Sequence, residues 1–315
     1  MAPRAGHERG PILLIGASGQ IGWELRRTLA PLAPVTAPGR DRLDLADEDG
    51  LRDFVREAKP GLIVNAAAYT AVDKAEQEPE AAMAVNGAAP GWLAEEAARL
   101  RVPLVQYSTD YVFGGDSPLP EEAPRPYLES DTPAPVNAYG RTKLAGEEAV
   151  QATGAPHLIL RTCWVYGLRG RNFLLTVQRL ARERQELEIV DDQVGAPTWA
   201  RMVAEVTALA LARAWAPGAA DPLSGLGGLY HLSAAGVTSW HGFAEAIVAA
   251  MRATGAEGLK VGKVRPVSSE EFPRPARRPA YSLLDNGRLT RAFGFRLPDW
   301  ESQLRLCLES REGSA

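Results

Sequence analysis

The sequence predicts an α/β fold in which helices cover both faces of a parallel sheet. Two observations lead to this prediction. Short apolar runs alternate with longer amphipathic segments along the first half of the chain, and each run is apolar at consecutive positions. Strands of that kind are buried on both faces, which is typical of parallel sheets built from strand–helix–strand units. A looser, loop-rich second half indicates a smaller C-terminal domain.

The elements can be placed in order along the chain. Four buried strands are expected at "PILLIG" (11–16), "GLIVNAAA" (61–68), "VPLVQYS" (102–108) and "HLILRT" (157–162). Helical periodicity is expected at 20–30, 47–58, 80–100 and 138–151. Beyond these, the sequence predicts a helix in 167–185, a strand and loop in 187–198, a strand at 228–233, a loop at 260–285, and helices near 285–293 and 298–310.

A glycine-rich turn follows the first strand directly and opens the first helix. In "ILLIGASGQIGWEL" the glycines are Gly16, Gly19 and Gly22. Gly16 allows a tight turn, Gly19 lets the backbone approach a pyrophosphate, and Gly22 lets the helix pack on the strand. The helix N-terminus attracts phosphate. The turn therefore predicts a Rossmann-like dinucleotide-binding domain.

The end of the second strand indicates which nicotinamide cofactor binds. An acidic residue there favours NAD, whereas an arginine accommodates the additional phosphate of NADP. The sequence "APGRDRLDL" offers Arg40 as the first available side chain, followed by Asp41. Arg40 favours NADPH, and Asp41 leaves NADH open.

A tyrosine and a lysine in "NAYGRTK" are the candidate catalytic pair. Tyr139 and Lys143 lie four residues apart, which puts both on one helical face. A neighbouring ammonium lowers the pKa of a phenol and so brings it closer to the range that suits acid catalysis. Ser108 and Thr109 end a buried strand in "YSTDYVFGG". Their hydroxyls are candidates to polarise a substrate carbonyl, and capping of backbone groups is the alternative.

The order of elements suggests two domains after a leader. Residues 1–10 are predicted to be a disordered leader. Residues 11–166 are predicted to form the dinucleotide-binding domain, to which 198–231 returns. Residues 167–197 and 232–315 are predicted to form the substrate-binding domain.

Composition excludes several classes of function. A net charge of -4 and a pI near 5.7 give no general attraction to nucleic acid or acidic membranes. No apolar run approaches the roughly 20 residues that a membrane-spanning helix needs. Two cysteines and four dispersed histidines show neither a disulfide framework nor a metal-ligand spacing. We expect a cytoplasmic protein that acts on a small molecule without nucleic-acid or membrane partners.

Several segments together resemble the extended short-chain dehydrogenase/reductase superfamily, over roughly residues 11–310. They are "GASGQIGWEL", "VNAAAYTAVDKAE", "YSTDYVFGG", "NAYGRTKLAGE", "LRTCWVYG", "RNF", "DDQVGAPT" and "RPAYSLLD". The first and fourth are common to the superfamily. The combination of "AVDKAE", "STDYVF" and "DDQVGAPT" is more specific and resembles the dTDP-4-dehydrorhamnose reductases.

The resemblance implies that the chain reduces the C4 ketone of a 4-keto-6-deoxy sugar nucleotide with NADPH or NADH. It implies that Tyr139 donates the proton, with Lys143 and Thr109 tuning it. Asp110 and Trp164 would contact the substrate together with Thr109. The cofactor would contact the glycine turn, the adenine pocket, the next strand end and the catalytic pair. The residues are Gly19, Gln20, Ile21, Asp44, Leu45, Ala67, Ala68, Tyr69, Tyr139 and Lys143, of which Lys143 would hold the nicotinamide ribose.

Other candidate contacts come from single residues. Arg278, with Arg277, is a candidate ligand for the substrate diphosphate because arginine forks match phosphate oxygens. Tyr166 could join Trp164 in an aromatic surface for the sugar or the base. Magnesium is associated with the family, with Asp191, Asp192 and Glu24 as candidate acids and no position assigned. A homodimer is a further expectation.

Two competing functions stay open from the sequence. A sugar-nucleotide epimerase or dehydratase has the same fold, but "TDY" lacks the Glu after Asp110 that dehydration is expected to need. A non-catalytic subunit resembling the β subunit of methionine adenosyltransferase is the second alternative. Tightly bound NAD would indicate the first, and failure to consume NADPH together with capture of another enzyme would indicate the second.

Overall fold

The computed structural model of the protein describes residues 10–116 and 125–312. The predicted leader, residues 1–10, lies outside the described residues except for Gly10. The strands are β1 (Ile12–Ile15), β2 (Val35–Thr36), β3 (Leu62–Asn65), β4 (Leu104–Thr109), β5 (His157–Thr162), β6 (Val165–Tyr166), β7 (Glu186–Val190), β8 (Val194–Gly195), β9 (Thr198–Trp199), β10 (Gly228–His231), β11 (Thr238–Ser239) and β12 (Lys263–Val267).

The helices follow the strands in alternation through most of the chain. They are α1 (Gln20–Leu29), α2 (Glu48–Ala58), α3 (Val72–Ala75), α4 (Pro79–Met83), α5 (Ala89–Leu100), α6 (Ala138–Ala152), α7 (Phe173–Glu183), α8 (Ala200–Ala214), α9 (Trp240–Ala253), α10 (Gly287–Phe293) and α11 (Trp300–Glu312). Side-chain caps explain where several begin. Asn137 accepts a hydrogen bond from Gly140 N at the start of α6, and Asn172 accepts one from Leu175 N at the start of α7.

A six-stranded parallel sheet in the order β10-β5-β4-β3-β1-β2 forms the centre of the molecule. Consecutive residues of β1 enter different cores. Leu14 packs with residues of α1 and α8, whereas Leu13 packs with residues of α2 and α5. This confirms the predicted doubly wound parallel fold, because both faces of the sheet are covered.

A second core lies in the C-terminal part of the chain. Its residues come from α7, α9, α11 and two two-stranded sheets, β12-β7 and β6-β9. Strand β10 lies in the main sheet beside β5, and α8 packs on α1. The predicted domain boundaries themselves stay a prediction.

Several elements differ from the sequence-based expectation. The stretch 260–285 was expected to be a loop, but it contains β12, which pairs parallel with β7. Helices α8 and α9 were not predicted, although Ser239 caps α9 by accepting from Gly242 N. The helix expected over 80–100 is divided by a π-helical segment, Ala84–Ala88, ahead of Pro90. Proline lacks an N–H for the ordinary helical bond, and this is consistent with the change of pitch there.

Candidate active site

The glycine turn between β1 and α1 has the geometry of a phosphate cradle. Gly16 has a φ of +81°, and a Cβ there would lie 2.5 Å from Ala67 N. A Cβ at Gly22 would lie 2.1 Å from Gly16 O. Gly19 is the N-cap of α1 and makes no side-chain cap, so the first-turn N–H groups of α1 are free for an anion. The residues present therefore fit a dinucleotide pyrophosphate.

A cavity of about 1380 Å³ extends from this turn along the carboxyl edge of the sheet. It is larger than a site for one small ligand, for which about 300–1000 Å³ is usual. Most predicted site residues line it: Gly16, Gly19, Gln20, Ile21, Arg40, Asp44, Leu45, Ala67, Ala68, Tyr69, Thr109, Asp110, Tyr139, Lys143 and Trp164. The predicted residues Gly22 and Arg278 are not among its lining residues. Gly22 instead permits the close packing of α1 against the turn.

Tyr139 and Lys143 both reach the cavity from α6. The sequence predicts that Lys143 lowers the pKa of Tyr139, but the pKa of Tyr139 is raised instead. Burial is the largest cause, and a hydrogen bond with Thr109 opposes it. Lys143 is not among the causes of the Tyr139 shift, and its Nζ donates to Tyr107 O at 2.6 Å. Burial lowers the pKa of Lys143 to about 8.

The ends of β4 and β5 bring four polar side chains to the same cavity. Thr109 Oγ1 donates to Asp110 Oδ1 at 2.9 Å. Within the described part of the chain, Ser108 Oγ, Asp110 Oδ2 and Thr162 Oγ1 are buried without a hydrogen-bond partner. Buried polar atoms normally have partners, so these atoms are available to a ligand. Burial also raises the pKa of Asp110 to about 6, although hydrogen bonds from Ser282 and Thr109 lower it.

Two stacked tryptophans form another wall of the cavity. The rings of Trp164 and Trp240 lie 3.6 Å apart at 8°. Trp164 has a φ of +47°, which is strained for a bulky residue, and a Cβ at Gly195 would lie 2.6 Å from its indole Cε2. Tyr166 does not join this wall, contrary to expectation, because it is 1% exposed and packs in the C-terminal core.

Trp240 is a cavity residue that sequence reasoning missed. It is the first residue of α9 and meets Trp164 only through the tertiary fold. The available signal was a serine cap followed by an aromatic residue in "TSWHGF", which also occurs at ordinary helix starts.

The candidate phosphate-binding arginines differ in their surroundings. Arg40 lies at the cavity with an 85% exposed side chain, and its Nη2 is 3.9 Å from Asp44 Oδ2. Because this ion pair is long and exposed, the Arg40 guanidinium can turn to meet a phosphate. Arg278 Nη2 instead donates to Asp73 Oδ2 at 2.9 Å.

The acids considered for magnesium are engaged elsewhere. Asp191 accepts from Ser239 Oγ, Asp192 accepts from Ser269, and Glu24 pairs with Arg201. Among the described residues, no group of three or more His, Cys, Asp or Glu side chains lies close enough together to hold a metal ion. The structure thus offers no support for a magnesium position. In the same residues, no helix is long and apolar enough to cross a membrane.

Comparison with known proteins assigns the family. The model of the RmlD substrate binding domain family matches residues 10–312. A dTDP-4-dehydrorhamnose reductase of Burkholderia thailandensis is 51% identical over 298 residues, which cover 94% of this chain and 97% of the relative. The chain belongs to the dTDP-4-dehydrorhamnose reductase family. The resemblance inferred from the sequence motifs is therefore confirmed.

Other members of the family agree in sequence and in fold. The dTDP-4-dehydrorhamnose reductase of Escherichia coli K12 is 43% identical over 294 residues, which cover 92% of this chain and 94% of that protein. The Bacillus anthracis dTDP-4-dehydrorhamnose reductase, solved in complex with NADP, superposes with a TM-score of 0.84 at 34% identity. The match covers 96% of this chain and 99% of that one.

Proposed function

We propose that this chain reduces the C4 ketone of dTDP-4-dehydro-β-L-rhamnose to dTDP-L-rhamnose with a reduced nicotinamide cofactor. The observation that carries the proposal is a single cavity lined by the glycine turn, Thr109, Tyr139 and Lys143. Family relatives along nearly the full chain are named for this reduction. The chemistry needs a cofactor site, a proton donor and a carbonyl-polarising group within one cleft, and the lining supplies all three.

The cofactor proposed is NADPH. The glycine turn and the N-terminus of α1 would hold its pyrophosphate, and Arg40 would meet the 2′-phosphate. The NADP complex of the Bacillus anthracis relative supports this preference. When bound, the reduced nicotinamide supplies the hydride for the carbonyl carbon. Asp41 keeps NADH as a second candidate.

Tyr139 is proposed to protonate the oxygen that becomes negative during reduction. Its raised pKa keeps the proton on the phenol at neutral pH, which is the state that a donor needs. Thr109, whose one hydroxyl proton goes to Asp110 Oδ1, would keep the Tyr139 hydroxyl in place through the hydrogen bond between them. The Lys143 ammonium would stabilise the negative charge as it develops.

The substrate would occupy the part of the cavity beyond the cofactor. Asp110 Oδ2 and the edge of Trp164 are proposed to contact the sugar. Gly195 and Trp240 cover the faces of the Trp164 indole, so that its edge is the part left to meet a ligand. Arg278 stays a proposed diphosphate ligand, and it would have to leave Asp73 to act as one.

The alternatives have less support. The Thermus thermophilus UDP-glucose 4-epimerase has a TM-score of 0.75 at 22% identity, which indicates a common fold alone. The residue after Asp110 is Tyr111, whereas a dehydratase is expected to carry Glu there. A regulatory subunit has no need of a buried Tyr, Thr and Lys beside a cofactor turn. A homodimer and a cytoplasmic location stay predictions.

An absorbance assay tests the proposal. The purified chain is mixed with dTDP-4-dehydro-β-L-rhamnose and either NADPH or NADH, and the product is identified by NMR. We expect stoichiometric cofactor oxidation, dTDP-L-rhamnose as product, and a higher kcat/KM with NADPH because Arg40 is free. Oxidation of neither cofactor, or a protein that retains tightly bound NAD without net consumption, would contradict the proposal.

A further inference from the structure

The motif "AVDKAE" (71–76) places two carboxylates beside the candidate proton donor. Ala75, in α3, shares a small buried cluster with Ala138 and Tyr139. Asp73 and Glu76 flank Ala75 in the sequence, yet neither is among the residues that line the cavity. Both carboxylates instead contact other parts of the fold: Glu76 contacts the start of α6, and Asp73 contacts the loop 276–278.

Glu76 binds the first turn of α6. Its Oε1 accepts a hydrogen bond from Ala138 N at 2.6 Å, one residue before Tyr139. Its Oε2 lies 3.7 Å from Arg141 Nη2. The first turn of α6 has no acidic residue of its own, so Glu76 supplies the negative charge that a helix N-terminus favours. This contact fixes the backbone from which Tyr139 projects.

Asp73 binds the loop that contains Arg278. Its Oδ2 accepts from Arg278 Nη2 at 2.9 Å, and its Oδ1 accepts from Ala276 N at 3.3 Å. Asn137, the N-cap of α6, donates to Arg277 O at 2.8 Å. The loop 276–278 is therefore attached both to α3 and to the start of α6.

The same loop reaches Tyr139 by a second route. The Arg278 guanidinium lies beside the half-buried Tyr111 side chain, and its charge opposes the rise in the pKa of that phenol that burial causes. The Tyr111 ring meets the Tyr139 ring edge to face, with centroids 5.5 Å apart at 76°. A Cβ at Gly140 would lie 2.1 Å from Tyr111 O, so the backbones also touch. Two contact paths, one from each carboxylate, thus converge on Tyr139.

We propose that Asp73 and Glu76 are positioning residues for the reduction. Glu76 fixes the start of α6, and Asp73 fixes the 276–278 loop and, through Arg278, Tyr111. Together they hold the Tyr139 hydroxyl at the place where the substrate oxygen receives its proton. The expected effect on kcat rests on the proposed function. The contacts of Asp73 and Glu76 do not depend on it.

The test compares Glu76→Ala with Glu76→Gln in the full chain. The glutamine keeps an oxygen acceptor for Ala138 N, whereas the alanine removes it. We expect kcat to fall by about 10-fold to 10²-fold in Glu76→Ala, because small misplacements of a reacting group have effects of that size. The cofactor Kd should stay within about twofold, and Glu76→Gln should recover most of the lost kcat. Asp73→Ala and Asp73→Asn form a second pair, with a smaller loss expected.

Glu80→Ala is the matched control, since it removes one exposed carboxylate from α4 close by. It should leave kcat unchanged. Hydrogen exchange of the amides at 138–141 is a readout independent of turnover, and we expect faster exchange in Glu76→Ala than in Glu80→Ala.

The outcomes separate the two proposals. If the wild-type chain does not reduce the sugar, the proposed function fails, and the exchange data alone decide on the positioning. Unchanged exchange at 138–141 in Glu76→Ala would overturn the positioning role. So would wild-type kcat in that variant, or an equal loss of kcat in the alanine and glutamine variants.

Discussion

At the scale of single residues, sequence spacing correctly predicted which side chains are neighbours, but it did not predict their pKa values. Tyr139 and Lys143 share a helical face, as their i, i+4 spacing requires. The direction of the Tyr139 pKa was wrong because burial, which depends on the tertiary fold, outweighs the neighbouring charge. Trp240 could not be predicted for a similar reason, since its partner Trp164 lies far away in the sequence.

The pKa values of two buried groups predict a bell-shaped pH dependence. Burial raises the pKa of Asp110 to about 6 and lowers that of Lys143 to about 8. Below the first value Asp110 becomes neutral and holds the Thr109 hydroxyl less strongly, because charged acceptors are the stronger ones. Above the second value Lys143 loses the charge that would stabilise an alkoxide. We expect kcat/KM to be highest between these two pKa values, since this parameter reports groups of the free enzyme.

The measurement is kcat/KM against pH for the wild-type chain and for Asp110→Asn. The asparagine variant should lose the acid limb and keep the alkaline limb. A wild-type profile that stays flat through pH values around 8, or an acid limb that survives in Asp110→Asn, would contradict these assignments.

At the scale of elements, α6 is joined to the sheet by a buried ion pair. Arg161, in β5, donates to Glu147, in α6, through Nε at 2.9 Å and Nη2 at 2.6 Å. Their side chains are 4% and 2% exposed. Because Lys143 lies one turn before Glu147, this pair also fixes the part of α6 that lines the cavity.

Removing one partner of that pair should destabilise the fold strongly. We expect Glu147→Ala to lower the free energy of unfolding by about 3–5 kcal/mol, because Arg161 is left buried and unpaired. Chemical denaturation measures the effect. Glu183→Ala is the control, since it breaks an exposed helical pair with Arg179 and should cost less than about 1 kcal/mol. An equal loss of unfolding free energy in Glu147→Ala and Glu183→Ala would show that burial does not increase the cost of breaking the ion pair.

The elements themselves could be predicted where local rules determine them. Four strands of the main sheet, β1, β3, β4 and β5, stood out as apolar runs, and the glycine turn identified the first helix. Strand β12 was missed because its exposed and half-buried residues form no apolar run, and its pairing with β7 is a tertiary contact. The π-helical segment likewise could not be located from periodicity. Its Asn86 side chain accepts from Tyr69 N and donates to Tyr69 O, and so supports the cavity wall.

At the scale of the whole molecule, the sheet and the C-terminal part jointly form the cavity. The sheet contributes the glycine turn, Thr109 and the residues of α6, whereas Trp240 comes from the C-terminal part. Parallel strands bring their carboxyl ends to one edge, so the gathering of polar residues there could be expected from topology. The C-terminal residues that meet this edge could not be predicted, because no local sequence pattern specifies how the second core packs on the first.

The central claim is that Tyr139 donates the proton for reduction of the sugar ketone. The most direct test is kcat for Tyr139→Phe beside the wild-type chain with NADPH and dTDP-4-dehydro-β-L-rhamnose, together with the cofactor Kd of each. We predict a fall in kcat of about 10²-fold or more with an almost unchanged Kd, because only an acid–base group is lost. Turnover of Tyr139→Phe at the wild-type rate would contradict the account.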